Sequence, residues 1–99
     1  MVVAIDIKTN LWNDIIDSLL RNGWHQTYRY DNVDAGIDFD FVILRKDDEE
    51  ILMGWDNWVE GEIKCTEGRL AEIGYKLKIS FKKGDPVNLK PEIIGMYKK

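Results

Sequence analysis

The 99-residue chain reads as a single α+β domain: mainly an antiparallel sheet, with one N-terminal amphipathic helix packed on one face and one or two short helices later. Three observations predict this. One stretch near the N-terminus repeats apolar residues at helical spacing. Several later stretches alternate apolar and polar residues, with turn-rich segments between them. Two further positions, Thr66 and Pro91, carry helix-start signals ahead of short apolar patterns. The length suffices for one hydrophobic core without disulfide staples.

Val3, Ile5 and Ile7 alternate with Ala4, Asp6 and Lys8, which predicts a short first strand. From about Asn10 to Asn22, Leu11, Trp12, Ile15, Ile16, Leu19 and Leu20 mark one side of a helix. Thr9 or Asn10 would cap its start. Gly23 suits the left-handed position after its end, with Trp24 folded back on the last turn. His25 to Tyr30 is a second strand, closed by the turn-rich run Asp31 to Gly36. A third strand follows, with Ile37, Phe39, Phe41 and Ile43 on one side and Asp38 and Asp40 on the other.

Asp47-Asp48-Glu49 predicts a hairpin turn, and Ile51 to Trp55 a fourth strand. Asp56-Asn57 interrupts it as a turn or bulge. Val59, Gly61, Ile63 and Cys65 then share one side, with Glu60, Glu62 and Lys64 opposite. Thr66 caps a short helix carrying Leu70, Ala71 and Ile73, which Gly74 would end. A last strand is expected with Leu77, Ile79 and Phe81 inward and Lys76, Lys78, Ser80 and Lys82 outward. After the Gly84-Asp85-Pro86 turn, Pro91 opens a terminal helix with Ile93, Ile94 and Tyr97.

Charge is distributed unevenly. The stretch Asp31–Glu62 holds eleven acids against Arg45 and Lys46, whereas Ile63–Lys99 holds nine bases and four acids; the whole chain is −4. The lone Cys65 forms no internal disulfide, and the N-terminus lacks a basic n-region, so a cytoplasmic protein is expected. No apolar run approaches a membrane span. An isoelectric point near 4.9 disfavours general attraction to nucleic acid. Isolated glycines form no phosphate-binding loop, and His25 has no companion for zinc, so no cofactor or metal is expected.

Two functional readings remain. Asp38, Asp40, Asp47, Asp48, Asp56, Glu60 and Glu62, with Trp55 or Trp58 exposed among them, have the composition of a protein-binding patch: an aromatic anchor in a charged rim. Such a patch fits a basic protein, as an inhibitor or immunity-type protein does. The opposing reading is internal pairing of the acids with the lysines of residues 76–82. Acidic and basic ends of separate copies would instead make a homo-oligomer. The second functional reading is catalytic. Asp38 or Asp40 followed by Glu62-Ile63-Lys64 resembles the metal site of restriction-endonuclease-like nucleases over these few positions. That resemblance implies carboxylates holding a divalent metal and Lys64 steadying the attacking water.

Overall fold

Helix α1 (Thr9–Arg21) forms where the helical repeat is densest, and it buries Trp12, Ile15, Ile16 and Leu19. Its end matches expectation. Gly23 has φ 91°, and the Trp24 N–H returns to the Leu19 carbonyl, which folds Trp24 into the core. Its start differs. Lys8 occupies the capping position with no side-chain hydrogen bond, and Thr9 is already helical, its hydroxyl engaged with other elements.

The structure, a computed structural model, describes residues 1–97. Six strands make one sheet: β1 (Val2–Ile7), β2 (His25–Arg29), β3 (Phe39–Lys46), β4 (Glu49–Asp56), β5 (Glu60–Cys65) and β6 (Lys82–Lys83). Their spatial order is β2-β3-β4-β5-β1-β6, and every neighbouring pair is antiparallel. The β3–β4 hairpin turns at Asp47-Asp48, with Asp47 at φ 55°. The β4–β5 connection is a full reversal. The Asp56 carboxylate accepts the N–H groups of Trp58 and Val59 at 2.7 Å each, and Asp56 pairs with Glu60 across the turn.

Residues opposite one another across an antiparallel ladder share a face. Asp40, Trp55 and Gly61 form one such row, facing α1. Phe41, Gly54 and Glu62 form the next, facing away from it. On the α1 side lie Ala4, Val42, Leu44, Ile51, Met53, Ile63 and Cys65, covered by α1 and by α2 (Glu67–Leu77). The Thr66 hydroxyl caps α2 as expected, accepting the Arg69 N–H at 3.1 Å.

The far face is covered too, which alternation along single strands does not reveal. Residues 87–97, including α3 (Pro91–Tyr97), lay Leu89, Ile94 and Tyr97 against Tyr28, Tyr30, Phe39, Phe41, Ile43 and Leu52. The Tyr97 ring centroid lies 5.2 Å from that of Phe41 and 5.8 Å from that of Phe39. The physical cause is visible in β3 and β4. Phe41-Val42-Ile43-Leu44 and Ile51-Leu52-Met53 are apolar on both faces, so both faces need cover.

Three expectations are corrected. Ile37 is exposed, because the chain enters the sheet only at Phe39. Gly74 does not end α2; it lies inside the helix, where a Cβ would sit 3.0 Å from the Ile79 carbonyl oxygen. It marks a close approach of the returning chain. The strand expected over Lys76–Lys82 shrinks to β6, since α2 continues to Leu77 and closes on Lys78, whose φ of 57° lets the Ile79 N–H reach the Gly74 carbonyl. Leu77, Ile79 and Phe81 still pack against the core.

Two substitutions test this account by chemical denaturation. Lys78→Gly is expected to stabilise the fold by about 0.5–1 kcal/mol, since a left-handed residue with a Cβ is strained. Gly61→Ala is expected to destabilise it by about 2–3 kcal/mol. There a Cβ would lie 2.4 Å from the Trp12 ring and 2.9 Å from the Ile7 carbonyl oxygen.

Candidate functional site

Glu62, expected on a solvent face, is 2 % exposed. Its carboxylate accepts three backbone N–H groups from the crossing segment: Val87 at 2.8 Å, Asn88 at 2.9 Å and Leu89 at 3.0 Å. Gly54 makes the approach possible, because a Cβ there would stand 3.0 Å from Asn88 and Leu89 side-chain atoms. The Asn88 amide adds a 2.7 Å hydrogen bond to Asp56. Both oxygens of Glu62 are therefore committed to holding residues 87–89 on the sheet.

Asp40 points the other way. It is buried on the α1 side, where the Arg29 Nε and Nη2 donate to its two oxygens at 3.1 and 2.6 Å, and it accepts its neighbour Phe41 N–H at 2.9 Å. Asp40 and Glu62 thus occupy opposite faces of the sheet, each with its own partners. Lys64 pairs in register with Leu52 and Val3. The geometry does not gather Asp38 or Asp40, Glu62 and Lys64 into one cleft. Among the described residues no group of three or more His, Cys, Asp or Glu side chains is placed to hold a metal ion.

Trp55 is likewise buried, and its indole N–H donates to the Thr9 hydroxyl at 3.0 Å. That hydroxyl donates to Glu60 at 3.3 Å, and Lys8 sits 3.0 Å from the other Glu60 oxygen. The hydrogen bond from Lys8 holds the Glu60 carboxyl below its ordinary range. Of the two tryptophans expected as anchors, only Trp58 is available.

Trp58 stands at the tip of the β4–β5 turn and is 75 % exposed. The turn touches the loop of residues 31–38 directly, through the Asn57 N–H donating to the Asp38 carbonyl at 3.1 Å. That loop holds its own shape. The Tyr30 hydroxyl donates to the Asp34 carboxylate at 2.5 Å, and the Asp34 carbonyl accepts the Ile37 and Asp38 N–H groups. It presents Val33 and Ile37 to solvent at 91 % and 65 % exposure. Apolar Val33, Ile37, Trp58 and Val59 thus occupy one end of the sheet with Asp31, Asp34, Asp38, Asp56 and Glu60. Neither loop contains a Lys or Arg. Val33 and Ile37 were missed from the sequence because one looks like turn filler and the other like strand core.

The remaining acids lie elsewhere. Asp47 and Asp48 are exposed at the opposite end of the β3–β4 hairpin, about 24 Å away at 3.4 Å per residue. Glu49 is held by Arg69, whose Nε and Nη2 each donate at 2.8 Å and whose guanidinium lies 5.2 Å from the Trp24 ring centroid. Of the basic C-terminal stretch, Arg69 pairs with Glu49 of the acidic stretch, whereas Lys82 pairs with Asp6 and Lys83 with Glu67. Cys65 is buried, and burial pushes its thiol up to about 12, the mark of an inert core group. Comparison with protein-family models, curated proteins and solved structures found nothing that matches this chain.

Two outcomes follow. Glu62→Gln puts an amide where three N–H donors converge, and Glu62→Ala removes the acceptor. Both should cost at least about 2–3 kcal/mol in denaturation and should expose residues 87–97 to limited proteolysis. The second outcome concerns acid. The bidentate hydrogen bonds from Arg69 lower the Glu49 carboxyl from its ordinary 4.5. A carboxyl lowered on folding adds stability above its unfolded value and loses it as pH falls through the folded one. Thermal melts should therefore show the wild type losing Tm below pH 4.5 more steeply than Glu49→Gln.

Proposed function

We propose that this chain is an acidic protein-interaction module that docks a basic partner on the Trp58 end of its sheet, in the manner of an inhibitor or immunity-type protein. The observation that carries the reading is the exposed Trp58 indole, at a turn tip hydrogen-bonded to the loop that exposes Val33 and Ile37, both loops carrying acids and no Lys or Arg. A monomer gains nothing in stability from such a ring in water, whereas a partner that buries it gains a large apolar contact. Trp is also the residue type most enriched at the energetic centres of interfaces.

The contact set narrows accordingly. Trp58, Val59, Ile37 and Val33 would supply the apolar contacts, and Asp31, Asp38 and Asp56 the rim. Asp47 and Asp48 would act at a distance, raising the encounter rate with a positive surface. Asp40, Trp55 and Glu62 serve the fold beneath. No helix among the described residues is long and apolar enough to cross a membrane.

The test is a pull-down from source lysate with tagged protein at low and high salt, read by mass spectrometry beside a Trp58→Ala variant. The expected result is a basic protein retained by the wild type at low salt and released at high salt. Trp58→Ala should bind it about 30-fold more weakly, equivalent to about 2 kcal/mol, while its folding stability stays within about 0.5 kcal/mol of wild type. Equal retention by Trp58→Ala would sink the reading.

A further inference from the structure

A second surface feature lies away from the Trp58 end. Helix α2 and the chain that returns along it, residues 79–83, enclose an open groove of about 740 Å³. Its floor is apolar: Leu70, Ala71, Gly74, Ile79 and Phe81. The groove owes its depth to Gly74, whose missing Cβ lets the Ile79 carbonyl and the Phe81 ring close against the helix. Tyr75 stands at the mouth and is 87 % exposed.

The rim is basic. Lys76, Lys78 and Lys83 line it, against the single carboxylate of Glu67. Glu67 is already taken by Lys83 at 2.5 Å. Lys76 meets only the Asn22 amide oxygen, at 3.5 Å, and no carboxylate among the described residues pairs with Lys78. The Lys76 ammonium is thus turned toward the end of α1, and Lys78 borders the apolar floor without a counter-charge among the described residues. In an acidic chain that juxtaposition stands out.

We infer that the α2–β6 groove is a binding site for a small anionic amphiphile, its aliphatic body on the Leu70–Gly74–Phe81 floor and its carboxylate or phosphate head at Lys78. The volume falls within the range of small-molecule sites, about 300–1,000 Å³. Charge complementarity selects an anion, and the apolar floor selects a ligand with a hydrocarbon part. A nucleic-acid backbone would satisfy the lysines and leave the floor wet. An extended peptide would need a sheet edge to pair with, and β6 offers only two paired residues.

Dodecanoate, kept below its micellar concentration, is the probe, with octyl glucoside as the uncharged control. Binding is followed by isothermal titration calorimetry and by amide chemical shifts. The expected result is saturable dodecanoate binding, with shifts concentrated in residues 67–83 and affinity falling as salt rises. A Lys78→Glu variant should weaken it at least tenfold. Ala71→Glu, an exposed helix position that tolerates glutamate, should do the same by placing a carboxylate on the floor. Trp58→Ala should leave dodecanoate binding unchanged, which separates this site from the protein-docking end. Absent binding, equal binding of octyl glucoside, or shifts located elsewhere would overturn the inference. So would a concentration-dependent dimer in sedimentation velocity that Lys78→Glu dissolves, since the groove would then belong to a second copy.

Discussion

One buried carboxylate ties the layers of this protein together. Glu62 lies mid-strand in β5, and its side chain gathers the N–H groups of Val87, Asn88 and Leu89 on one face of the sheet. On the other face the Trp12 indole N–H reaches its backbone carbonyl at 3.2 Å. Helix, sheet and crossing segment therefore meet at a single residue. The glycines beside it explain how. Gly54 clears space for the crossing segment, and Gly61 clears space for the Trp12 ring. Free N–H groups buried under a segment with no strand to pair with would each cost on the order of 1–3 kcal/mol, and Glu62 removes that cost for three of them.

The acids divide by what surrounds them. Those whose positions fall on strands are absorbed: Asp40 by Arg29, Glu49 by Arg69, Glu60 by Lys8 and Thr9, and Glu62 by backbone amides. Those on the loops at either end of the sheet stay in water, where their charge adds little to stability and much to the surrounding field. The sequence total of −4 therefore describes neither the interior nor any one surface. At one end the acids surround an indole; along α2 the balance is reversed and lysines border an apolar floor.

The sequence made α1 legible almost to the residue, because a dense apolar stripe and a following glycine are both local signals. The α+β class and the antiparallel sheet were legible for the same reason. The far face was not. Its cover comes from residues 87–97, and nothing in the alternation of Phe39, Phe41 and Ile43 says whether water or Tyr97 lies above them. The fate of Glu62 was hidden likewise, since its partners are backbone amides 25 to 27 positions away. An acid-x-lysine triplet looks the same whether its acid faces solvent, a metal or a crossing loop. Trp58 was named as an anchor beside Trp55, and only the Asx-type turn at Asp56, which reverses the chain, separates the exposed ring from the buried one.

The crossing segment also sets a condition on folding. The aromatic face of the sheet is closed only when residues 87–97 dock on it. Until then Tyr28, Tyr30, Phe39, Phe41 and Leu52 stand open to water, and the Glu62 carboxylate waits without its amides. The aromatic face is therefore the exposed liability of any state in which that segment is undocked. Docking of residues 87–97, rather than helix or hairpin formation, is therefore the step that protects this face from its neighbours.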